Sequence, residues 1–188
     1  MKNYVCLSIG RHGEYPTSDN QAISLKSMVK GYLSAADIAS IGGKVGAVGS
    51  SDLERAIATA YLRKKAWNCR SFEREQFGEI SFEKFKEFLI GMCYESKRVS
   101  WEHLHIVTHD WHIKPLIGND VNKDGYALIK GTDWSEIIDS LENQTAKFEI
   151  YDFNISDQEL KKAIAEIGLD ENMENQYALD LVVKYYKK

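Results

Sequence analysis

Proline, cysteine and long apolar runs are scarce in this sequence. Its 188 residues include only two prolines and three cysteines. The cysteines, Cys6, Cys69 and Cys93, are odd in number and widely spaced, which fits neither a disulfide framework nor a zinc motif. The apolar start, Tyr4 to Ile9, is too short for a signal peptide, and no run reaches the roughly 18 apolar residues of a membrane helix. We therefore expect a cytoplasmic protein with reduced thiols and no membrane contact.

An excess of positive charge is also absent. The chain has 24 Lys and Arg against 28 Asp and Glu, for a net charge of −4, and no basic stripe is present. This balance argues against a nucleic-acid partner. A hydrophobic content of 44% and a charged content of 28% are typical of a globular protein, and the length favours one domain. The oligomeric state is not indicated by any of these features.

What the sequence does contain is an alternation of short apolar runs with amphipathic segments. Such alternation predicts a three-layer α/β/α sandwich with a central, mostly parallel sheet. We expect a single domain over 1–188, with a small helical insertion at about 71–98 and a C-terminal helical extension at about 156–188. The predicted strands are 4–9, 45–48, 69–72, 104–108 and 148–153, and the predicted helices are 25–41, 52–67, 82–95, 156–167 and 172–186.

Three local signals mark helix ends. Ser51-Asp52-Leu53-Glu54 and Ser156-Asp157-Gln158-Glu159 both have the serine and glutamate spacing of a capping box, which begins a helix. Gly42-Gly43 follows an amphipathic run and predicts its C-terminal end.

Polar groups suited to anion binding follow three predicted strands: Arg11 and His12, the pair Ser50-Ser51 with Arg55 in the next helix, and His109 with Asp110. In a doubly wound sheet, ligands bind outside the carboxyl ends of the strands. Guanidinium groups and helix N-termini bind phosphate oxygens, and a histidine among them is able to accept a phosphoryl group. These residue types predict a site for a dianionic, tetrahedral ligand.

Three blocks of the sequence resemble a known family. Arg11-His12-Gly13-Glu14 after a strand is similar to the signature of the histidine phosphatase (phosphoglycerate mutase-like) superfamily. Residues 50–60 look like its second block, Ser-Ser-x-Leu-x-Arg-Ala-x-x-Thr-Ala, and Val107-Thr108-His109 resembles its third. The blocks occur in the family's order, and the last 70 residues match less clearly. The resemblance implies the phosphoglycerate mutase-like fold.

The resemblance also implies a mechanism. His12 would be the nucleophile and form a phosphohistidine, while Arg11, Arg55 and His109 would hold the phosphoryl oxygens. Phosphoryl transfer depends mainly on positioning and charge, so this set is expected to act without a metal or a cofactor. The expected substrate is a phosphorylated small molecule or a phosphoprotein.

Hydrolysis is favoured over mutase activity by the segment after the first block. Mutases of the family carry a Trp-Asn segment and a Gly-Trp pair there, and Tyr15–Gln21 lacks both. Ser18 and Asn20, in this segment, are candidate phosphate contacts, with solvated loop positions as the simpler interpretation.

The proton donor to the leaving group has more than one candidate. In the mutase-like branch it is a glutamate in a stretch that 72–78 resembles with one extra residue, so Glu73 and Glu75 both qualify. In the acid-phosphatase branch it is the aspartate after the second histidine, here Asp110. We favour Glu73, with Asp110 second.

Other functions also fit parts of the sequence. A phosphate-binding regulatory module without turnover and a phosphomutase share the same fold. The histidines at 103, 105, 109 and 112 suggest a metal-dependent phosphohydrolase, although surface or half-buried positions explain His103 and His112 more simply. The stretch 120–125 opens like a calcium loop, but Gly131 occupies the position of the bidentate glutamate, so a turn is the better interpretation.

Overall fold

The structure, a computed structural model, describes residues 4–15, 23–74 and 80–187, with the backbone alone for 71–74. Ser18, Asn20 and Glu75 therefore lie outside the described residues, as does the side chain of Glu73.

The described residues form six strands, β1 Val5–Arg11, β2 Val45–Ser51, β3 Arg70–Arg74, β4 His103–Thr108, β5 Tyr126–Gly131 and β6 Glu149–Tyr151. They lie in one sheet in the order β3-β2-β4-β1-β5-β6. Neighbouring strands are parallel from β3 to β1, whereas β5 is antiparallel to both β1 and β6.

Helices cover both faces of this sheet, which confirms the predicted α/β sandwich. The helices of the described residues are α1 Leu25–Gly42, α2 Glu54–Trp67, α3 Phe82–Arg98, α4 Asp110–Ile117, α5 Trp134–Glu142, α6 Asp157–Ile167 and α7 Asn175–Tyr186. One face of the sheet packs against α3, α4 and α5 around a core that includes Leu7, Ile9 and Leu104. The other face packs against α1 and α2, and α6 and α7 pack on those two helices.

The sequence did not predict β5, α4 or α5, and the expectation of a mostly parallel sheet holds only for the four strands from β3 to β1. The antiparallel direction of β5 has a simple cause. Tyr126, its first residue, pairs with Gly10 at the carboxyl end of β1. Because α4 and the following turn return the chain to the edge of the sheet at which β4 ended, β5 starts at that edge and runs antiparallel to β1. The turn before β5 is therefore held beside the strand ends. The predicted insertion and C-terminal extension stay predictions.

The two predicted capping boxes have different outcomes. At Ser156 both reciprocal hydrogen bonds with Glu159 are present, which confirms the prediction. At Ser51 the prediction is wrong, because α2 begins at Glu54 with Leu53 as an N-cap that has no side-chain bond. The hydroxyl of Ser51 instead lies 2.7 Å from His109 Nε2.

The histidines considered as metal ligands are bonded to protein groups. Ser8 Oγ lies 2.6 Å from His103 Nε2 and 2.7 Å from His105 Nδ1, and Arg63, fully buried, bonds His105 Nε2 at 2.8 Å. His112 is buried too, stacked on Phe85, so the expectation of surface or half-buried positions for His103 and His112 is wrong. Across 4–15, 23–74 and 80–187, no three His, Cys, Asp or Glu side chains are grouped to hold a metal ion.

None of the helices in the described part of the chain has the length and apolar character required to cross a bilayer.

Candidate active site

The carboxyl ends of three neighbouring strands bring the predicted residues together. Strand register places Arg11 beside Thr108, and Ser50 beside Val107. The residues that follow, His12 and His109, have ring centres 4.9 Å apart. Arg55, in the first turn of α2, reaches the same point. The sheet thus assembles Arg11, His12, Arg55 and His109 in one place, although they are distant in the chain.

His12 is held as a neutral base that faces the site. Its Nδ1 lies 2.7 Å from the carbonyl oxygen of Gly13. Since a carbonyl only accepts hydrogen bonds, Nδ1 carries the proton and Nε2 carries a lone pair. Arg55 Nε donates to that Nε2 at 3.1 Å. His12 therefore has the tautomer that a nucleophilic imidazole requires.

Burial and positive neighbours keep both imidazoles uncharged. Burial, followed by the charges of Arg55, Arg11 and Lys123, lowers the pKa of His12 to about 4, against a raising effect of the Gly13 carbonyl. Burial is also the largest cause that lowers the pKa of His109, to about 2. Both rings are therefore neutral at physiological pH.

The peptide that orients His12 is itself clamped. Gly13 N–H donates to Thr59 Oγ1 at 3.1 Å, and the Thr59 hydroxyl donates to the carbonyl of Arg55 at 2.8 Å. On the other side, Glu14 N–H donates to Ser27 Oγ at 2.8 Å. The loop after β1 and the first turn of α2 are thus joined by one threonine.

Two buried polar atoms in the site have no hydrogen-bond partner among the described residues: Arg11 Nε and His109 Nδ1. Buried polar atoms nearly always have a hydrogen-bond partner, so two such atoms without a partner in the same site indicate that a ligand binds there. Arg11 keeps its other nitrogens occupied, with Val121 O at 3.1 Å and Asp110 Oδ2 at 3.0 Å. A phosphoryl oxygen would satisfy both unpaired atoms.

The two favoured proton donors are placed differently. Both oxygens of Asp110 are engaged, one by Arg11 and the other by the N–H of Trp111 at 3.1 Å. The backbone of Glu73 pairs with Ser50 at the carboxyl end of edge strand β3, so it lies at the same edge of the sheet. Its side chain is outside the described residues.

Sequence reasoning missed three residues at the mouth of the site. Tyr15 has its ring centre 6.1 Å from that of His12 and 4.7 Å from Lys123 Nζ. Trp111 stacks on His109, with the ring centres 4.3 Å apart. For Tyr15 and Trp111, adjacency to the two histidine motifs was an available signal. Nothing in the sequence indicated Lys123.

No family model and no curated protein matches the chain by sequence. Solved structures do match in three dimensions. Mycobacterial hydrolase 2 is similar with a TM-score of 0.61 and 12% identity, over 87% of this chain and 97% of its own. The protein histidine phosphatase SixA in complex with tungstate has a TM-score of 0.55 and 12% identity, over 83% and 99%.

A third similar structure is a mycobacterial glucosyl-3-phosphoglycerate phosphatase, with a TM-score of 0.56 and 11% identity over 81% of this chain and 100% of its own. The chain has the histidine phosphatase fold. The predicted resemblance is thereby confirmed at the level of the fold. In the histidine phosphatase fold of this chain, the four predicted site residues meet at the carboxyl ends of β1, β2 and β4.

Proposed function

We propose that this protein hydrolyses phosphomonoesters through a phosphohistidine on His12. The observation that carries the proposal is the unprotonated Nε2 of His12, with Arg55 Nε at 3.1 Å and the His109 ring centre 4.9 Å from that of His12. A site that only binds anions would present hydrogen-bond donors to the anion and would need no nitrogen lone pair such as that of His12 Nε2. The arrangement supports a nucleophile surrounded by the groups that stabilise a transferred phosphoryl group.

The reaction has two steps in this proposal. His12 Nε2 attacks phosphorus, the bond between phosphorus and the ester oxygen breaks, and a general acid protonates the leaving alkoxide. Water then attacks the phosphohistidine, gives up a proton to the same group, and releases inorganic phosphate and neutral His12. In the first step the Arg55 Nε–H moves from Nε2 to a phosphoryl oxygen. Arg11 and Arg55 supply the positive charge, so we propose that no metal is required.

The proposed substrate is a phosphorylated small molecule or a phosphoprotein. The names of the similar structures include both classes, a protein histidine phosphatase and a sugar-phosphoglycerate phosphatase. We also propose a cytoplasmic location, because the three cysteines are few, odd in number and widely spaced, as expected of reduced thiols in a reducing compartment.

Turnover of p-nitrophenyl phosphate tests the proposal. We expect hydrolysis that EDTA does not reduce and that His12→Ala abolishes. Turnover that EDTA removes would favour the metal-dependent phosphohydrolase. Binding of vanadate without turnover would favour the regulatory module, and transfer of phosphate to a second alcohol rather than water would favour a mutase.

The proton donor is tested with a substrate that has a poor leaving group. We expect Glu73→Gln to lower kcat for an alkyl phosphate by about 100-fold, the scale of general acid catalysis, and to leave p-nitrophenyl phosphate less affected. Asp110→Asn is the matched control, because Asp110 is already bonded to Arg11. A larger selective loss in Asp110→Asn would transfer the role to Asp110, and silence of both variants would exclude both residues.

A further inference from the structure

We propose that Ser51 is a positioning residue whose hydroxyl fixes His109 in the tautomer with its proton on Nδ1. A neutral His109 is thereby able to donate a hydrogen bond to the phosphoryl group. The inference rests on the proposed function, and it gives Ser51 a role other than the helix cap that its sequence context predicts.

The hydrogen bonds around Ser51 decide the direction of its contact with His109. Both residues are fully buried, and Ser51 Oγ lies 2.7 Å from His109 Nε2. Leu53 N–H donates to Ser51 Oγ at 3.4 Å, so the oxygen already accepts one bond. Within the described residues, His109 Nε2 is the acceptor in reach of the serine hydrogen. A buried hydroxyl proton rarely lacks an acceptor, so it is placed on the line to Nε2.

The proton of a neutral His109 ring must then be on Nδ1. Nδ1 is the buried atom without a partner among the described residues. Trp111 stacks on the ring at 4.3 Å and 10°, which fixes the ring plane. The alternative tautomer would present a lone pair at Nδ1 to a negatively charged phosphoryl oxygen. The direction of the Ser51 hydrogen bond therefore decides whether His109 Nδ1 attracts or repels the phosphoryl oxygen.

The two imidazoles of the site thus share the Nδ1–H tautomer but turn different nitrogens toward the substrate. The Gly13 carbonyl accepts from His12 Nδ1 and leaves Nε2 as a base. The Ser51 hydroxyl donates to His109 Nε2 and leaves Nδ1–H as a donor. One hydrogen-bond partner thus prepares each ring for its role: the Gly13 carbonyl prepares His12 to attack phosphorus, and the Ser51 hydroxyl prepares His109 to stabilise the phosphoryl group.

Nitrogen NMR of the full chain labelled with ¹⁵N-histidine tests the tautomer directly at pH 7. We expect a pyrrole-like shift for Nδ1 of His109 and a pyridine-like shift for Nε2, with the signal assigned by its loss in His109→Gln. Titration with inorganic phosphate should move the Nδ1 signal. A pyrrole-like Nε2 would overturn the inference. This readout needs no turnover, so it is independent of whether the protein is a phosphatase.

Kinetics test the consequence. We expect Ser51→Ala to lower kcat for p-nitrophenyl phosphate about tenfold, the usual scale for losing a group that orients a functional histidine, with KM changed less than about threefold. Ser51→Thr keeps the hydroxyl and should restore the rate. Ser96→Ala is the matched control, since Ser96 is equally buried but its hydroxyl donates to the carbonyl of Met92 within α3. Equal losses in Ser96→Ala and Ser51→Ala would contradict the role.

A second pair of variants covers the case in which Ser51→Ala does not fold. The amide nitrogen of an asparagine lies near the position of histidine Nδ1, and that of a glutamine near Nε2. If Nδ1–H is the donor, His109→Asn should retain several times the kcat of His109→Gln. The reverse order would overturn the inference.

Discussion

At the scale of single residues, Lys123 brings a third positive charge to the site beside Arg11 and Arg55. Its charge is among the causes that lower the pKa of His12. The two aspartates near it are engaged elsewhere: Asp120 pairs with Lys114, and Asp124 accepts from Ser27. Lys123 is therefore available to a negatively charged substrate.

Lys123→Met should weaken substrate binding. A half-buried charge near the phosphoryl group contributes about 1 kcal/mol, so we expect KM for p-nitrophenyl phosphate to rise about fivefold with little change in kcat. Lys130→Met is the control, because Lys130 Nζ lies 5.1 Å from the ring of Tyr4 in a similar contact, next to Cys6 near the opposite end of β1. An equal KM for the two variants would show that Lys123 does not contribute to substrate binding.

The sequence predicts some of these residues and not others for a physical reason. His12 and His109 each follow an apolar strand directly, so the strand itself determines their place. Lys123 lies in the turn before β5, and the position of this turn depends on the reversed direction of β5. Ser51 has two competing partners, a local helix N–H and a distant imidazole, and only the local one is visible in the sequence.

At the scale of elements, a glycine at the end of a helix and a glycine inside a helix have different backbone conformations. Gly43 ends α1 with φ of +90°, a conformation that side chains other than glycine rarely adopt. Gly91 lies inside α3, and a Cβ added there meets no atom within 4 Å. The first position needs glycine, whereas the second does not.

The two glycines should therefore respond in opposite directions to the same substitution. We expect Gly43→Ala to lower the free energy of unfolding by about 1 kcal/mol and Gly91→Ala to raise it by about 0.8 kcal/mol, the difference in helix propensity. Urea unfolding followed by circular dichroism measures both. The same sign for both variants would contradict the helix ends described here.

At the scale of the whole molecule, all five histidines are buried, with at most 3% of any of them exposed. Burial is the largest cause that lowers the pKa of His12, His105, His109 and His112. Burial also raises the pKa of Asp124 to about 6, which acts in the opposite direction but involves a single carboxyl group. The protein should therefore be sensitive to acid.

Stability is expected to fall as the pH drops below about 6.5. There the unfolded histidines bind protons, whereas His12 binds one only near pH 4 and His109 near pH 2, so acid favours the unfolded chain. Between pH 7 and pH 5 each of these two histidines should cost about 2 kcal/mol. Urea unfolding should show a net loss of at least about 2 kcal/mol over this range. His109→Gln should lose less than the unmodified protein, and a flat profile would contradict the burial of neutral imidazoles.

The most direct measurement of the central claim is the detection of the phosphorylated residue itself. The full chain is mixed with a phosphomonoester, quenched within milliseconds in alkali, in which phosphohistidine survives, and analysed by peptide mass spectrometry. We predict a phosphoryl group on His12 during turnover, absent from His12→Ala. Steady turnover with no phosphoryl group on His12 at any quench time, or with one on another residue, would contradict the account.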